Sequence, residues 1–388
     1  MEEWKKYKLQ ELCSIHRGSS PRPIQKFLSA KGQPWVKISD ATADSSRYIS
    51  KTKECIIPEG IKHSVIVEPG TLIVSNSATP GLPKIMKITA CVHDGWLIID
   101  NIKPIVLKEF LYYSFILIRR ELSNQANGSV FQNLKTEIVK NFEINVPPIS
   151  IQKRIVSILE RIEDKIDINN GINDNLEQQA QAAFNNIIAN TTSDKTVQLA
   201  EIAWLNPKRS ISKGTIARSI EMAHLPTTGS FPSGWEMKEY NGGMKFQNGD
   251  TLMARITPCL ENGKVAFINF LEGDEIAFGS TEYITMTPKR QFAPEVLYFL
   301  VRNAEFIDFA VKNMNGSSGR QRVSADTIGT YELPDITLEE LHILETIARE
   351  ALTKIKYNSL ENMILAEMRD TLLPKLMSGE LKINETDR

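Results

Sequence analysis

Two stretches of the chain have the apolar periodicity of long amphipathic helices. In residues 149–188, apolar side chains recur every three or four positions, beginning with Ile151, Ile155 and Leu159. The same spacing extends over residues 337–372. This period places the apolar side chains of each stretch on one face of a helix. The pattern therefore predicts two helices of about 40 residues, each roughly 60 Å long at a rise of about 1.5 Å per residue.

Prolines mark the boundaries of both predicted helices. Pro147 and Pro148 precede the first helix, Pro334 precedes the second, and Pro374 follows the last apolar positions of the second. Proline is tolerated in the first turn of a helix but lacks the N–H that later turns need. The second helix is therefore predicted to end at Pro374.

Two segments of about 140 residues precede the helices and are rich in glycine, proline and short β-type runs. Such runs occur at residues 64–67, 71–74, 264–268 and 283–286. Short apolar runs bounded by turn residues are typical of strands. The pattern predicts an α+β fold with two globular domains. The predicted boundaries are 1–146 for the first domain, 147–193 for the first helix, 194–333 for the second domain and 334–388 for the second helix.

The sequence repeats itself at an offset of about 180 to 190 residues. Leu9–Leu12 matches Leu199–Ile202, Gly70–Ser75 matches Gly249–Arg255, Leu111–Tyr113 matches Leu297–Phe299, Asn127–Ser129 matches Asn315–Ser317, and Phe142–Ile144 matches Tyr331–Leu333. The matches keep the same order, and each half ends in a predicted long helix. A duplicated unit of one domain and one helix explains this order.

The duplication limits how the two helices can pair. An isolated helix gains little stability from propensity alone, so an apolar stripe of this length needs a partner. The first helix leads from the first domain to the second, and the second helix leads away from the second domain. If they pair, they run antiparallel. We therefore expect an antiparallel coiled-coil pair of long helices separating the two domains, with a pseudo-two-fold internal repeat.

Charge distinguishes the predicted domains from the helices. The whole chain is nearly neutral, with 46 Lys and Arg against 47 Asp and Glu, which excludes a uniformly basic coat for nucleic acid. Residues 1–146 carry 20 basic against 14 acidic side chains, a net charge of +6, and residues 195–333 carry 15 of each. Residues 147–193 (4 against 6) and 334–388 (7 against 11) are acidic. The domains, rather than the helices, are therefore the candidates for phosphate contact.

Two loops in each predicted domain have chemistry that suits contact with DNA. The loops at 75–84 and 255–264 combine small polar residues with glycine and a final lysine, which lets backbone approach a phosphate. The loops at 127–135 and 315–322 combine flexible backbone with amides and cations, and arginine can read guanine bidentately. The candidate DNA-binding residues are Ser75, Asn76, Thr79, Lys84, Asn127, Ser129, Gln132, Lys135, Arg255, Thr257, Asn262, Lys264, Ser317, Arg320, Gln321 and Arg322.

Other interpretations of these positions stay open. The first loop of each pair also fits an ordinary turn between strands, and the second fits a loop that caps the next helix. Segments 17–22 and 206–209 are weaker candidates for DNA contact. On the helices, the candidate packing or partner-docking residues are Ile155, Leu159, Ile162, Phe184, Leu341, Ile347 and Leu372.

Motifs of catalysis and cofactor binding are missing from the sequence. It has no GxxxxGK[ST] phosphate loop, its four cysteines form no CxxC pair, and its five histidines do not fall at metal-ligand spacing. The run from Asn145 to Pro148 departs from the Asn-Pro-Pro-aromatic motif of adenine methyltransferases and fits a helix start better. We expect no catalytic site, metal or cofactor in this chain.

Membrane and secretion signals are also missing. The longest apolar run, 110–118, has nine residues, whereas a spanning helix needs about 20. The N-terminal residues are charged and lack the apolar stretch of a signal peptide. We expect a cytoplasmic protein without membrane contact.

Several motifs resemble the specificity subunits of type I restriction–modification systems (HsdS). The run PPISIQKRIV at 147–156 looks like the opening of the central conserved helix of that family, and LEQQAQAAF at 176–184 looks like its end. The run LLPKLMSGEL at 372–381 is similar to the C-terminal ending of the family. Residues 70–84 and 249–264 resemble parts of its target recognition domains. The resemblance covers nearly the whole chain and agrees with the order of the internal repeat.

This resemblance implies a non-catalytic DNA-recognition subunit that needs no cofactor. Each target recognition domain would read one half of an asymmetric, bipartite site on double-stranded DNA, and the helices would set the spacing. The helices would also dock modification (methyltransferase) subunits, two of them, which carry the S-adenosylmethionine chemistry of DNA methylation. Restriction subunits with ATP-dependent endonuclease and translocase activity would complete the restriction system.

Two other functional classes stay open at this stage. One is a helical scaffold or adaptor whose domains bind proteins rather than DNA. The other is a self-contained nuclease or methyltransferase, against which the missing catalytic motifs argue.

Overall fold

The computed structural model describes residues 4–42, 46–125, 133–289, 292–317 and 319–381. These form two compact units. Unit 1 comprises Met1–Lys165 together with Leu365–Arg388, and unit 2 comprises Ile166–Ile364. Along the sequence, each of the two long helices begins in one unit and ends in the other.

Unit 1 is built on two five-stranded sheets and a two-stranded ribbon. Its strands are β1 (Lys5–Lys8), β2 (Ser14–Arg17), β3 (Leu28–Ser29), β4 (Gln33–Val36), β5 (Tyr48–Ile49), β6 (Glu54–Ile56), β7 (Val65–Val67), β8 (Leu72–Ser75), β9 (Pro83–Met86), β10 (Ala90–Val92), β11 (Trp96–Asp100) and β12 (Glu143–Val146). The sheet orders are β2-β11-β8-β9-β5 and β3-β6-β4-β10-β7, and β1 pairs antiparallel with β12.

Short helices and two longer ones complete unit 1. The helices are α1 (Leu9–Leu12), α2 (Ile38–Ala41), α3 (Pro58–Ile61), α4 (Lys108–Asn124), α5 (Thr136–Asn141) and the start of α6 (Ile149–Asn190), with a 3-10 turn at Ile24–Lys26. Gln152 fastens the start of α6 to the domain, because its Nε2 donates to the carbonyls of Pro147 (2.7 Å) and Ile105 (2.8 Å) while its Oε1 accepts from the Leu107 N–H (2.8 Å). The first residues of α6 therefore have a fixed place on unit 1.

Unit 2 repeats this plan with two four-stranded sheets and a ribbon. Its strands are β13 (Thr196–Gln198), β14 (Ala203–Leu205), β15 (Ile216–Ile220), β16 (Glu236–Glu239), β17 (Met244–Phe246), β18 (Thr251–Ala254), β19 (Val265–Phe267), β20 (Ala277–Gly279), β21 (Tyr283–Pro288) and β22 (Glu332–Pro334). Its helices are α7 (Leu199–Ile202), α8 (Pro294–Val301), α9 (Ala304–Lys312), α10 (Ala325–Gly329) and most of α11 (Leu338–Met377).

The strand order confirms the internal repeat. Sheet β14-β21-β18-β19 matches β2-β11-β8-β9 strand for strand, and β16-β15-β20-β17 matches β6-β4-β10-β7. Gly70 and Gly249, which precede the matching strands β8 and β18, both have φ near +90° (89° and 88°), a conformation that favours glycine. The α+β class and the internal repeat are thus confirmed.

Each unit has a core between its sheets and its helices. In unit 1, the largest cluster joins strand residues such as Leu72 and Leu97 to Phe110 of α4, Leu159 of α6 and Leu376 of α11. In unit 2, the corresponding cluster contains Phe184 of α6, Phe299 of α8 and Leu352 of α11. Because apolar residues of both long helices are buried in each core, the helices are part of both folding units rather than appendages.

The predicted end of the second helix was wrong. α11 continues to Met377, with Pro374 inside its last turn. Proline removes one backbone donor, and near a helix end that costs a single hydrogen bond, while the Pro374 carbonyl still accepts from the Ser378 N–H at 3.0 Å. The buried Leu373, Leu376 and Met377 hold this last turn on the unit 1 core.

Candidate nucleic-acid interface

In unit 1, the two predicted loops meet at one end of a sheet. Strand β8 ends at Ser75, and the next residue, Asn76, donates its N–H to the Gly95 carbonyl at 2.9 Å. Ser77 and Asn133 form an isolated antiparallel bridge, and the Leu134 N–H donates to the Asn76 carbonyl at 2.7 Å. The loop after β8 and the segment before α5 therefore lie side by side.

Unit 2 has the same arrangement at the matching positions. The Arg255 N–H donates to the Glu282 carbonyl at 3.0 Å, Ile256 and Arg322 form the isolated bridge, and the Val323 N–H donates to the Arg255 carbonyl at 3.0 Å. Asn76, Gly95 and Asn133 of unit 1 thus correspond to Arg255, Glu282 and Arg322 of unit 2. We call this end of each sheet, carrying these residues, the loop face.

Several predicted residues of unit 1 lie inside the domain. Ser75 and Asn76 are fully buried. The Ser75 Oγ donates to the Thr79 carbonyl and accepts from the Leu82 N–H, and the Asn76 Nδ2 donates to the Asp94 carbonyl at 3.2 Å. Lys84 is 4% exposed and its Nζ donates to the Ser46 carbonyl. Such buried, internally bonded side chains hold the loop in place, and this geometry does not favour a direct phosphate contact.

The remaining predicted residues of unit 1 differ in position. Thr79 is half-buried, and its Oγ1 has no hydrogen-bond partner among the described residues. Lys135 is exposed at the position that precedes α5, where its charge faces solvent on the loop face. Asn127, Ser129 and Gln132 lie outside the described residues.

An arginine cluster adjoins the loop face of unit 1. Arg17 Nε donates to the Asp94 carbonyl at 2.7 Å, and Arg22 Nη2 lies 3.3 Å from Asp94 Oδ2. Ser20 Oγ also donates to Asp94 Oδ1 at 2.7 Å. Burial opposes ionisation of Asp94, but the hydrogen bond from Ser20, a backbone hydrogen bond and the charge of Arg22 outweigh it and lower the pKa of the Asp94 carboxyl. The segment 17–22, a weak candidate by sequence, therefore carries two exposed cations beside the predicted loop.

A cavity of about 560 Å³ opens next to this cluster. It is lined by Arg22, Lys37, Trp35, His93 and Asp94, among others. The Trp35 and His93 rings lie 6.0 Å apart, and burial lowers the pKa of His93, so its imidazole is neutral at pH 7. The cavity lining therefore combines the aromatic rings of Trp35 and His93 with the cationic side chains of Arg22 and Lys37.

In unit 2, a carboxylate organises two of the predicted arginines. Glu282 accepts from Arg322 Nε (2.9 and 3.0 Å) and Nη2 (2.6 Å), and Arg255 Nε lies 3.6 Å from Glu282 Oε2. The hydrogen bonds from Arg322 lower the pKa of Glu282, with burial acting in the opposite direction. Arg255 and Arg322, which come from two different predicted loops, therefore lie against the same carboxylate. The sequence did not predict this contact.

Other predicted residues of unit 2 fall into two groups. Thr257 joins the two loops, since its Oγ1 accepts from the Gln321 N–H at 3.1 Å and its own N–H donates to the Gln321 carbonyl at 3.0 Å. Lys264 is half-buried, and its Nζ donates to the Met222 carbonyl at 2.6 Å. Asn262, Ser317 and Arg320 are exposed. The exposed group can reach a ligand, whereas Thr257 and Lys264 fix the loops.

Arg209, a weak candidate by sequence, is not on the surface. Its side chain is 8% exposed and its Nη2 donates to Oδ1 of the fully buried Asp250 at 2.8 Å and to Thr287 Oγ1 at 2.9 Å. Burial raises the pKa of Asp250, although Thr287 and Arg209 oppose this. Arg209 therefore neutralises an internal carboxylate instead of contacting a ligand.

Side chains of both long helices meet within unit 1. Glu163 of α6 is buried, with its Oε1 3.7 Å from Arg369 Nη1 of α11 and its Oε2 3.4 Å from Arg47 Nη1. Tyr113 of α4 also donates to Glu163 Oε2 at 3.3 Å. Ile155, Leu159 and Ile162 are buried and Leu372 is half-buried, so these predicted positions lie in the helix-packing core.

Within unit 2, a series of asparagines joins the helices. Asn169 Nδ2 donates to Asn362 Oδ1 at 2.9 Å, and Asn358 Nδ2 donates to Asn173 Oδ1 at 2.8 Å. Ascending positions on α6 meet descending positions on α11, which confirms the antiparallel pairing. Among the predicted packing residues, Phe184 is buried and Leu341 is half-buried against the core.

The helix pair of unit 2 also exposes large apolar side chains. Ile168 is 58% exposed, Ile364 is 60% exposed, and Ile172, Tyr357 and the predicted Ile347 are also exposed. Ile168 and Ile172 are one turn apart, so they share one face of α6. Of these residues, only Ile347 was among the packing or docking candidates from the sequence. The period of apolar residues along a helix does not show which of them remain exposed to solvent in the fold.

Glu282 and Asp94 are the site residues that sequence reasoning missed. Both residues lie outside the four loops that the sequence singled out as candidates for DNA contact. The register of the repeat could have indicated Glu282, because it lies directly before β21 just as Gly95 lies directly before β11. In the described part of the chain, no cluster of three or more His, Cys, Asp or Glu side chains could hold a metal ion. Among the described helices, none has both the length and the apolar character needed to cross a membrane.

Comparisons with known proteins agree with this architecture. The family described as "Type I restriction modification DNA specificity domain" matches residues 1–178. The chain is 25% identical over 423 aligned positions to the type I restriction enzyme MjaIX specificity subunit of Methanocaldococcus jannaschii, with 99% of this chain and 95% of that protein covered. It is 22% identical to the HindI specificity subunit of Haemophilus influenzae, over 75% of this chain and 81% of that protein.

A solved structure supports the fold. The S subunit of a type I restriction–modification system from M. genitalium superposes with a TM-score of 0.58 at 14% identity, covering 97% of this chain and 96% of that chain. At this identity the likeness concerns the fold alone. Together these findings show that residues 1–178 match the type I restriction–modification DNA specificity domain and that nearly the whole chain is similar to specificity subunits of these systems.

Proposed function

We propose that this chain recognises DNA within a type I restriction–modification complex, each target recognition domain reading one half of an asymmetric, bipartite site. The observation that carries this is the loop face. In both units it brings the two candidate loops together at the same end of the matching sheet, through the bridges Ser77–Asn133 and Ile256–Arg322. Two related but chemically different faces suit two different half-sites.

Charge on the loop faces supports DNA as the ligand. The face of unit 1 carries exposed Arg17, Arg22 and Lys135, and the face of unit 2 carries Arg320 together with the partly exposed Arg255 and Arg322. Cations at the surface gain affinity for phosphate by releasing counterions, and side chains on the adjacent loops read base edges. The scaffold alternative, in which the domains bind proteins, predicts no such dependence on DNA sequence.

The long helices are proposed to set the spacing of the half-sites and to dock the methyltransferase subunits, two per chain. Helix α6 has 42 residues and α11 has 40, and both are anchored in the cores of the units they enter. The exposed Ile168 and Ile364 provide apolar area for a protein partner. Restriction subunits would join the same complex. The chain itself contributes recognition rather than catalysis, and the domain boundaries 1–146, 147–193, 194–333 and 334–388 are proposed on the same basis.

The decisive experiment maps methylated adenines. The chain is co-expressed with its methyltransferase subunit in a host that lacks other DNA methylation, and the genomic DNA is sequenced for modified bases. We expect one asymmetric motif made of two defined parts separated by a gap of unspecified bases. Methylation without any sequence preference, or none at all in a complex that assembles normally, would favour the scaffold alternative.

Separate substitutions in each unit test the division of labour. Arg17→Ala with Arg22→Ala in unit 1 should alter recognition of one part of the motif, and Arg320→Ala in unit 2 should alter the other. A change confined to one half of the motif indicates an arginine that reads bases, whereas removing a cation that binds only phosphate weakens binding about uniformly across sequences and lowers the salt dependence by about one unit. If both sets of substitutions affect the same half of the motif, the proposed assignment of one domain to one half-site is incorrect.

A further inference from the structure

Glu282 holds Arg322 by one edge of its guanidinium group. The carboxylate accepts from Nε and Nη2, and the Arg320 carbonyl accepts from Nη1 at 3.2 Å. A guanidinium has five N–H donors in a fixed plane. Two donors face Glu282 and one faces the Arg320 carbonyl, so one donor remains on Nη1 and one on Nη2.

These two remaining donors suit one base. Guanine presents O6 and N7 as adjacent acceptors in the major groove, and a bidentate arginine matches them. The Arg322 side chain is 37% exposed, so it is reachable from solvent on the loop face. Free arginine side chains lose rotamer entropy when they bind, and an arginine already fixed by a carboxylate has less to lose.

An acidic residue at this place needs a reason, because its charge repels phosphate. Glu282 is ionised at neutral pH, since the hydrogen bonds from Arg322 lower its pKa. It lies between two arginines that were both candidates for DNA contact, with Arg255 Nε 3.6 Å from its Oε2. A carboxylate whose charge serves to orient an arginine provides selectivity instead of affinity.

Unit 1 has no counterpart of this charged set. At the matching positions it has Asn76 for Arg255, Gly95 for Glu282 and Asn133 for Arg322. Gly95 has no side chain to orient a neighbour, and Asn133 is exposed and uncharged. Unit 2 therefore has both the carboxylate and its arginine, and unit 1 has neither. This is expected if the two residues work only as a pair.

We propose that Glu282 is a positioning residue that orients Arg322 to read a guanine in the half-site recognised by unit 2. The inference rests on the proposed function, because it presupposes that the loop face of unit 2 contacts DNA. Arg322 is the specificity-determining residue in this account, and Glu282 acts through it.

The test uses the complex of the full chain with its methyltransferase subunit. Its methylation motif is determined first, and binding is then measured on duplexes in which each base pair of the motif is changed singly. The variants are Arg322→Lys, Glu282→Gln and the control Glu261→Gln. Glu261 is exposed in the loop 255–264 and makes no described contact with Arg255 or Arg322, so the control removes one negative charge without freeing an arginine.

Arg322→Lys should lower discrimination at one guanine position about 10-fold to 100-fold, because lysine keeps the charge but loses the bidentate geometry. Glu282→Gln should relax the same position while total affinity is unchanged or higher, because a negative charge is removed. Glu261→Gln should change affinity only. Thermal unfolding of each variant establishes that the chain remains folded, and Arg322→Lys tests the arginine even if Glu282→Gln does not fold.

Three results would overturn the inference. They are a unit 2 half-site without guanine, equal effects of Glu282→Gln and Glu261→Gln on all duplexes, or unaltered discrimination in Arg322→Lys. The proposed function fails separately, since it is refuted only if the wild-type complex itself shows no sequence preference. A selective wild type with unaffected variants refutes the role of Glu282 and leaves DNA recognition standing.

Discussion

Asn358 of α11 donates a hydrogen bond to Asn173 of α6 across the helix pair, with 2.8 Å between Nδ2 and Oδ1. Asn358 is 2% exposed, so this bond lies in the interior of the pair. A buried amide is stabilised only opposite a polar partner, and a shift of either helix along the other would leave both amides unsatisfied. The asparagine pairs therefore select one register of the two helices in unit 2, at some cost in stability relative to apolar contacts.

Asn358→Leu should destabilise unit 2 by about 1–3 kcal/mol, because it leaves Oδ1 of Asn173 without the N–H donor of Asn358. Adding Asn173→Leu should recover much of that stability, because two apolar side chains then replace two matched polar ones. Chemical denaturation of the wild type, both single variants and the double variant measures the coupling directly. Additive effects in this cycle would mean that the hydrogen bond does not couple the helices.

Arg209→Met should destabilise unit 2 by about 3–5 kcal/mol, because it leaves the carboxylate of Asp250 buried without its cation. Arg209→Met combined with Asp250→Asn is the matched control, and it should recover part of the stability by removing the charge. Thermal unfolding measures both variants. Where the single variant remains folded, the methylation motif should be unchanged, since Arg209 is only 8% exposed; an altered motif would return Arg209 to the DNA interface.

Ile168→Glu should weaken assembly with the methyltransferase subunit without affecting the fold. Ile168 is 58% exposed, so its replacement costs the isolated chain little, whereas a charge in an apolar contact is unfavourable. Co-purification and titration of the two subunits measure the association, and circular dichroism monitors the fold. Gln178→Glu adds the same charge at an exposed polar position of α6 and should leave assembly intact. Equal affinities for the two variants would exclude Ile168 from the interface.

The helices were the most predictable part of this fold, because their apolar period persists over many turns. The boundary that failed was the one set by a single residue, Pro374. There, burial of Leu376 and Met377 outweighs one missing backbone hydrogen bond. The strand order followed only from the structure, since residues such as Leu72 and Ile99 pair across distances in sequence that no local pattern encodes.

The internal repeat predicted which segments of the two units fold alike, and the described parts of the candidate loops lie side by side in both units. Their role as a DNA interface stays a prediction. The repeat could not separate Lys84, which is buried on a backbone carbonyl, from Lys135, which is exposed, because both are lysines at loop ends. Glu282 was missed for a similar reason: its importance lies in what it touches, and Arg322 is 40 positions away.

The pH dependence of stability provides a final check on the pair formed by Glu282 and Arg322. The pKa of Glu282 is lowered from its ordinary value of 4.5, so its ionised form is the one that the fold stabilises. That contribution is fully present above pH 4.5 and is lost as the pH falls through the lowered pKa. The wild type should therefore unfold at a higher temperature than Glu282→Gln near neutral pH, and the difference should shrink and vanish on acidification. Glu261→Gln, at an exposed position of the same loop face with no described contact to Arg255 or Arg322, is the control for the loss of one carboxylate. A difference between wild type and Glu282→Gln that persists unchanged into acid would mean that the ion pair does not stabilise the loop face.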